Sequence, residues 1–550
     1  MSAFIPALFA RGAIVLLISS LTVCGCIRPA EASENTAAIL ASVKPASFDH
    51  RMTEDLTAYI GGLMRRDQVP GASVAVVQDG RVVYQQGFGL LDLSKPDPVT
   101  PSSLMMIGST GKSMTTMMMA TVVDDRKMRW DTPAVSVLPT FALSEARLTP
   151  KVTMRHLVCN CIGIERHDIG FFFATSPRTA EGVIRSLAKF PLVGTFGSTF
   201  QYSNQLVATG GYLAARVATG GIGDLYADYV TQMQRRVFDP IGMPHTTFSF
   251  DQIRSDPNHA TPYGRTADYG LTPLPLELEQ EVLPIAPAGG EWSSVVDLAR
   301  YLITQLDRGV APNGKRVVSS ENLQYTWEPQ VQATPTASYA LGWGVGAYKG
   351  VRLLTHNGGT NGFTSNLSML PDAALGIAVL TNSQNNNAFV TAIPFRVFEL
   401  VYGQPEEADG KFSRRSAQSR QEALDGIRGI RPHPDWTVIT PYLGVYTNPE
   451  LGEVGLTRQG ERLVLRAGDV RSELRSIADS TYLLWDPPLA GHQVRLRQDT
   501  AGRPEWNLVS ADPDEPVTYT FTLAQVSPTA GRVGAAPKRN GNQRLGQPIR

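Results

Sequence analysis

The chain has 550 residues, of which 50 are Lys or Arg and 50 are Asp or Glu, so its formal net charge is zero. A neutral chain has no electrostatic reason to bind nucleic acid or an anionic membrane surface, and neither is expected as a partner. The length of 550 residues exceeds the ~250–300 residues at which single hydrophobic cores stop growing, which predicts more than one domain.

Residues 1–32 have the pattern of a signal peptide. Arg11 precedes an apolar run over residues 12–23, and Ala30-Glu31-Ala32 matches a signal-peptidase site, so we expect the mature chain to begin near Ser33. A second interpretation stays open, since Val23-Cys24-Gly25-Cys26 resembles a lipobox that would place a lipid on Cys26. Either way we expect an exported protein, periplasmic or secreted, which contacts a membrane only if it is lipidated.

After this segment the chain contains two cysteines, Cys159 and Cys161, so it is not a disulfide-rich scaffold. A zinc site is not predicted, because no second Cys or His pair completes four ligands. We expect either two small core residues or a disulfide.

The first structural elements follow a leader over residues 33–49, which we expect to be loosely held. Residues 53–66 carry apolar side chains at helical spacing. Two β-rich runs, residues 72–77 and 81–89, flank the pair Asp79-Gly80. An Asp-Gly pair between two such runs predicts a β-hairpin.

A serine and a lysine three residues apart, Ser109 and Lys112, stand where a polar turn leads into an apolar, Met-rich helix. Positions i and i+3 lie on one face of a helix. A serine hydroxyl is a weak nucleophile unless an adjacent base takes its proton, and a lysine whose pKa is lowered by burial can be that base. A second copy of the pattern, Ser186 and Lys189, precedes Phe190-Pro191 and is expected on the surface of an ordinary helix.

Two further motifs follow. Tyr202 and Asn204 precede a predicted helix over residues 205–217, where they could relay a proton and hydrogen-bond Lys112, or where Asn204 or Ser203 could simply cap the helix. Gly358 and Gly359 follow His356 at the end of an apolar strand. A Gly pair lets another backbone approach closely, although a plain β-turn would have the same sequence.

Strand patterns return after residue 335, and a predicted helix over residues 389–402 follows them. This order predicts one α/β (α+β) domain over residues 50–403, with an antiparallel sheet built from both chain ends and an all-helical region between them. Residues 404–435 are expected to form a linker. Short strands over residues 436–525 predict a small all-β barrel, and residues 526–550 have a composition typical of a disordered tail.

The ordered set Ser109-x-x-Lys112, Tyr202-x-Asn204 and His356-x-Gly358 resembles the class C β-lactamase and D,D-peptidase superfamily of serine hydrolases. The resemblance covers roughly residues 50 to 403. Several flanking stretches are similar too: Val69-Pro70-Gly71, Gly87-Phe88-Gly89, Asp131-Thr132-Pro133, Pro240-Ile241-Gly242-Met243 and residues 358–363. The segment from Tyr442 onward looks like the lipocalin-like barrel that often follows this domain.

The resemblance implies an exported serine hydrolase that forms an acyl-enzyme with a small-molecule or peptide substrate, a peptidoglycan fragment included. The substrate would be a D-amino-acid peptide, a β-lactam or a carboxylic ester, and neither a metal nor an organic cofactor is implied. The implied roles are acylation at Ser109, general base and acid at Lys112 and Tyr202, orientation of substrate at Asn204, His356 and Gly358, and oxyanion binding by the backbone N–H groups of Ser109 and Gly359.

Two departures from the family pattern bear on the substrate. His356 stands where many β-lactamases have the Lys that recognises a carboxylate, and His is at most partly charged near neutral pH. The family's usual His-Thr-Ser-Gly loop is replaced here by Asn160-Cys161-Ile162-Gly163. The charged run over residues 165–168 just after it could touch substrate, although we expect a solvated set of ion pairs.

Three other interpretations of the Ser109–Lys112 motif fit the sequence less well. A phosphate-binding loop around Lys112 would need a glycine where Met106 stands, and a nucleophile elbow would need one at Ile107. The third is a non-catalytic penicillin-binding or scaffold homologue, against which the presence of Ser109, Lys112 and Tyr202 argues. The sequence predicts no oligomeric state.

Overall fold

A computed structural model describes residues 40–173, 178–221, 223–478, 480–511 and 517–524. The expected signal peptide, residues 33–39 of the expected leader and the expected tail lie outside the described residues. Within these ranges, no helix combines the length and the apolar character that a membrane span requires.

The first helix, α1 (His50–Asp67), begins after Asp49, whose side chain accepts a hydrogen bond from the Met52 backbone N–H at 2.8 Å. The predicted hairpin follows as β1 (Gly71–Gln78) and β2 (Arg81–Gly89). Both turn residues, Asp79 and Gly80, have positive φ angles of 50° and 73°. Two positive φ angles match the twist of the flanking strands, which is why the Asp-Gly pair forms this turn.

An eight-stranded antiparallel sheet has the order β2-β1-β12-β11-β10-β9-β8-β7. Its first two strands come from the beginning of the domain and its other six from the end, and β1 pairs with β12 through contacts such as Val74 with Val379. This arrangement confirms the predicted sheet built from both chain ends. The later strands are β7 (Val331–Thr334), β8 (Ala337–Tyr339), β9 (Gly344–Tyr348), β10 (Val351–Gly359), β11 (Thr364–Leu370) and β12 (Leu375–Thr381).

Both faces of the sheet are covered. Val74 and Val76 of β1 belong to a core shared with α1 and with α14 (Asn387–Val401), whereas Ala75 and Val77 belong to the core of the helical region. Side chains alternate between the two faces of a strand, so a strand buried on both sides is apolar at every position. Fully burying one such valine contributes about 1.5–3 kcal/mol.

The helical region surrounds the helix that follows Ser109. This helix, α2 (Lys112–Asp124), is buried at every position from Lys112 to Val122. A helix that is apolar all round belongs inside a protein, which accounts for its run of methionines. The other helices of this region are α3 (Ala134–Val137), α4 (Met154–Val158), α5 (Gly170–Phe173), α6 (Ala180–Ser186), α7 (Asn204–Thr219), α8 (Leu225–Met233), α9 (Asp239–Ile241), α10 (Phe250–Ser255), α11 (Leu276–Gln280), α12 (Val295–Leu306) and α13 (Ser320–Tyr325).

Short pairs of strands frame this region. β3 (Met105–Met106) pairs with β6 (Trp292–Ser293), and β4 (Tyr263–Arg265) pairs with β5 (Leu271–Pro273). The pairing of β3 with β6 places residues 288–293 beside the turn that carries Ser109.

After α15 (Ala408–Gly426) and α16 (Trp436–Ile439), eight strands close into a barrel, which confirms the predicted all-β domain. Trp506 and Phe521 stack inside it with ring centroids 4.1 Å apart. Its core continues into the first domain through Ile169, Phe173 and Leu278. The strands are β13 (Gly444–Asn448), β14 (Gly452–Gln459), β15 (Arg462–Ala467), β16 (Val470–Ala478), β17 (Thr481–Leu484), β18 (Gln493–Gln498), β19 (Pro504–Val509) and β20 (Thr518–Leu523).

Candidate active site

Ser109 lies in a 3-10 turn, Gly108–Gly111, and Lys112 begins α2 directly after it. The residue spacing of three brings the two side chains together, and Lys112 Nζ lies 2.8 Å from Ser109 Oγ. Two other oxygens also contact Nζ, Asn204 Oδ1 at 2.7 Å and the Ala288 carbonyl at 2.7 Å. Ser109 is 7% exposed and Lys112 is fully buried.

Burial lowers the pKa of Lys112 well below its usual 10.5, because a buried ammonium loses its hydration. The carboxylates of Asp168 and Glu291 oppose this shift, and the Arg166 guanidinium adds to it. In the amine form, two N–H groups can donate to Asn204 Oδ1 and to the Ala288 carbonyl, which can only accept. The remaining lone pair then faces the Ser109 hydroxyl, as a general base requires.

Asn204 has a fixed orientation. It is the first residue of α7, where Ser203 is the N-cap. Its Nδ2 donates to Asp168 Oδ2 at 2.7 Å, so its Oδ1 faces Lys112. Arg166 Nε donates to the same Asp168 oxygen. The expected ion pair therefore forms between Arg166 and Asp168. Their side chains are only 17% and 15% exposed, however, so the expectation that this pair is solvated is wrong.

Tyr202 packs beside Lys112, with Nζ 4.8 Å from its ring centroid. The Tyr202 segment is held by Asn160, whose Oδ1 accepts from the Ser203 backbone N–H at 3.0 Å and whose carbonyl accepts from Gln201 N–H at 2.9 Å. Asn160 adopts a left-handed φ of 52°, between two cysteines that form a disulfide, Cys159–Cys161. Of the two options for the cysteines, the structure has the disulfide. The loop in which this chain departs from the family pattern therefore holds the Tyr202 segment in place.

His356 is a buried, neutral histidine. Its Nδ1 lies 2.6 Å from the Asn357 carbonyl, which can only accept, so Nδ1 carries the proton. Nε2 then accepts from the Tyr339 hydroxyl at 3.1 Å. Burial and the nearby Lys112 charge lower the pKa of His356 to about 3. The ring packs 6.2 Å from Tyr202 and brings no positive charge to the site.

The glycine pair after His356 lies in β10 and pairs with Ser365 and Thr364 of β11, so the plain β-turn is wrong. A Cβ at Gly358 would lie 2.0 Å from the Ile107 carbonyl oxygen, which is the close backbone approach that the sequence predicts. A Cβ at Gly108 would lie 2.6 Å from the Gly359 nitrogen. The ends of β10 and of the Ser109 turn are therefore adjacent, with the N–H groups of Ser109 and Gly359 as candidate oxyanion donors.

A cavity of about 210 Å³ opens at Ser109. Arg166, Asp168, Asn204 and Gly359 line it, whereas Lys112, Tyr202 and His356 are not among its lining residues. The barrel also lines it, through Pro488, Ala490, His492 and Ala511. The second domain therefore forms part of the candidate active site.

The structure thus brings all seven sequence-predicted site residues into one cluster. Sequence analysis missed four residues that support them, Asn160, Asp168, Ala288 and Tyr339. Asn160 and Asp168 lie in segments that the sequence marked as a departure and as a charged run, so a partial signal existed. No sequence signal pointed to Ala288 or Tyr339, which reach the site only through long-range contacts.

Three comparisons bear on the family. The sequence model described as Beta-lactamase matches residues 56–402. The chain is 27% identical over 442 residues to "Unguisins hydrolase ungD'" of Aspergillus campestris, covering 76% of this chain and 80% of that protein. It is 27% identical over 355 residues to "Penicillin-binding protein 4" of Amycolatopsis lactamdurans, covering 62% of this chain and 88% of that protein.

A solved structure shares the fold. The octameric penicillin-binding protein homologue from Pyrococcus abyssi superposes with a TM-score of 0.56 at 20% identity, covering 85% of this chain and 99% of that one. This likeness concerns the fold alone. The sequence-model match, in contrast, spans more than half of the 550 residues. The chain therefore belongs to the Beta-lactamase family.

Proposed function

We propose that the protein is an exported serine hydrolase that cleaves an amide or ester substrate through an acyl-enzyme on Ser109. The observation that carries the proposal is the 2.8 Å contact between Ser109 Oγ and a fully buried Lys112 Nζ. A buried amine beside a hydroxyl that opens onto a cavity is the arrangement needed to activate a serine nucleophile.

Acylation begins when Lys112 takes the Ser109 hydroxyl proton as Oγ bonds to the substrate carbonyl carbon. The carbonyl electron pair moves to oxygen, where the N–H groups of Ser109 and Gly359 would stabilise it. The C–N or C–O bond then breaks, and the leaving group takes a proton that Lys112 and Tyr202 return. Water then takes the place of the leaving group, and the same steps run in reverse. This releases the acid and restores the Ser109 hydroxyl.

The uncharged state of His356 bears on the substrate class. His356 is buried and neutral, so it supplies no cation at the position where many β-lactamases bind a carboxylate. This favours a peptide amide, such as a D-amino-acid peptide, or a carboxylic ester over a β-lactam. The name of the Aspergillus relative, a hydrolase, supports hydrolysis rather than a purely binding role.

The test uses the purified full chain with p-nitrophenyl acetate, D-amino-acid amides, muropeptides, nitrocefin and a fluorescent penicillin. We expect ester or amide turnover by the wild type and its loss in Ser109→Ala, with Ser186→Ala as a matched control that keeps full activity. Equal behaviour of the wild type and Ser109→Ala on every substrate would sink the proposal. A covalent penicillin adduct at Ser109 without turnover of any substrate would instead favour the non-catalytic penicillin-binding homologue.

Export is part of the same proposal. Besides the signal-peptide pattern, the Cys159–Cys161 disulfide supports it, because disulfides persist in oxidising compartments. Intact-mass analysis of the protein recovered from a bacterial periplasm should give a chain that begins near Ser33. A mass that corresponds to a lipidated Cys26 would establish the lipoprotein alternative, and an unprocessed Met1 in the cytoplasm would contradict export.

A further inference from the structure

One buried carboxyl group beside the catalytic pair has no part in the proposed mechanism. Glu291 is fully buried, and its carboxyl group lies against the Tyr229 hydroxyl without a hydrogen bond of good geometry to it or to another described residue. Its backbone is part of the site, since its carbonyl accepts from the Ile107 N–H at 2.9 Å. Burying a carboxyl group costs free energy unless hydrogen bonds replace its lost hydration.

The side chain of Glu291 packs directly on the Ser109 turn. A Cβ added at Gly111 would lie 2.2 Å from Glu291 Oε2 and 2.8 Å from Cδ, so a larger residue there would displace the carboxyl group from its present position. Gly111 directly precedes Lys112. Glu291 is therefore anchored to the nucleophile segment on both sides of Ser109, by its backbone at Ile107 and by its side chain at Gly111.

Four titratable groups face Glu291 from three helices. Lys112 comes from α2, Tyr226 and Tyr229 from α8, and Tyr301 from α12. The tyrosines are neutral, since burial raises their pKa values, so Lys112 is the cation in this set. The Tyr229 hydroxyl hydrogen-bonds Thr115 Oγ1 at 2.8 Å, and Tyr301 hydrogen-bonds Ser113 Oγ at 2.9 Å.

The charge states of Glu291 and Lys112 are linked. Burial raises the pKa of Glu291 to about 8, and the nearby Lys112 charge lowers it. By the same interaction, an ionised Glu291 raises the pKa of Lys112. A neutral Glu291 leaves Lys112 free to be the amine that accepts the Ser109 proton, and an ionised one stabilises the ammonium that results.

We propose that Glu291 is a positioning residue whose buried carboxyl group, packed on Gly111, sets the protonation state of Lys112 and so the pH range in which Ser109 is activated. The inference rests on the proposed function. It assigns no proton transfer to Glu291 itself, which acts only through its charge on Lys112.

The test is the pH profile of kcat/KM for p-nitrophenyl acetate, a neutral substrate. The acid limb of this profile reports the base of the free enzyme. In Glu291→Gln and Glu291→Leu the ammonium form of Lys112 keeps Asp168 but loses the Glu291 carboxylate, so the limb should move to lower pH by roughly 0.5–1 unit. Glu291→Asp keeps the carboxyl group and should keep the wild-type limb.

Glu279→Gln is the matched control. Glu279 is also fully buried, and burial raises its pKa to about 7, but its Oε1 accepts from the Gly362 N–H at 2.6 Å, away from Lys112. This variant should leave the acid limb in place.

The outcomes separate the two proposals. Activity that survives in Ser109→Ala sinks the proposed function, whatever the position of the limb. An inactive Ser109→Ala together with an unshifted limb in Glu291→Gln overturns only the role of Glu291. Two neutral variants that fold but turn over no p-nitrophenyl acetate at any pH, or that both fail to fold, also overturn it, because a residue that only sets charge is required for neither.

Discussion

The chain contains the pattern Ser-x-x-Lys twice, and its two copies have different surroundings. Ser109 faces a fully buried Lys112 at 2.8 Å, next to a cavity. Ser186 ends α6 and donates its hydroxyl to the Val183 carbonyl of its own helix at 2.7 Å, while Lys189 is exposed. Lys189 therefore lacks the burial that makes Lys112 a candidate base. Burial and fixed partners, rather than the motif, separate the candidate site from its copy.

The largest expected effect comes from the lysines themselves. Lys112→Met should lower kcat/KM for the best substrate by ~10³-fold, within the range that a positioned acid–base group contributes. Lys189→Met should leave kcat/KM unchanged, because its side chain is exposed and distant from the cavity. Steady-state kinetics of both variants at one pH provide the measurement. Equal losses in the two would mean that burial does not distinguish the copies.

The second effect concerns Asp168, which supports the Ser109–Lys112 pair through Asn204. Asp168→Ala frees the amide of Asn204 to turn, so Lys112 loses a fixed acceptor, and we expect kcat to fall roughly 10- to 100-fold. The matched control is Asp131→Ala, which removes an exposed pair with Arg129. Stopped-flow acylation rates for both variants provide the comparison, and a normal rate in Asp168→Ala would show that Asn204 needs no second support.

The third effect is a dependence of folding stability on pH, which is caused by the burial of His356. The pKa of His356 falls from its usual 6.5 to about 3 on folding, so between these values the unfolded chain binds more protons than the folded one. Stability should therefore rise with pH across this window and fall on acidification, by up to about 1.4 kcal/mol per pH unit.

Thermal unfolding between about pH 4 and pH 7 tests this sign. The loss of stability on acidification should be smaller in His356→Asn than in the wild type. The control is His50→Asn, because the His50 side chain is 88% exposed. Parallel curves for all three proteins would contradict a neutral, buried His356.

The smallest effect concerns the barrel residues that line the cavity at Ser109. His492→Ala should raise KM roughly two- to fivefold for an extended peptide substrate and leave p-nitrophenyl acetate unaffected, since the small ester does not reach those residues. His433→Ala, an exposed change in the segment that precedes the barrel, should alter neither. A change in KM for the small ester would place His492 nearer to Ser109 than the cavity suggests.

Local chemistry accounts for what the sequence could predict. The hairpin around Asp79-Gly80 and helix α1 are specified by nearby residues, and the ordered motifs located Ser109, Lys112, Tyr202 and His356. Long-range contacts account for what it could not. Asp168 holds Asn204 across 36 residues, and Ala288 reaches Lys112 across 176. A charged run such as residues 165–168 looks solvated in sequence, because nothing local shows that a barrel will cover its neighbourhood.

The pairing of β1 with β12 also has a consequence for how the protein forms. Ser109 and Lys112 are made early, but Gly359 reaches them only after the last strands of the sheet have been synthesised and have paired with the first. A sheet closed by such distant contacts folds slowly, because the long loop must close before the contacts stabilise it. An N-terminal fragment that contains Ser109, Lys112 and Tyr202 would therefore be inert, and catalytic competence should appear only in the last stage of folding.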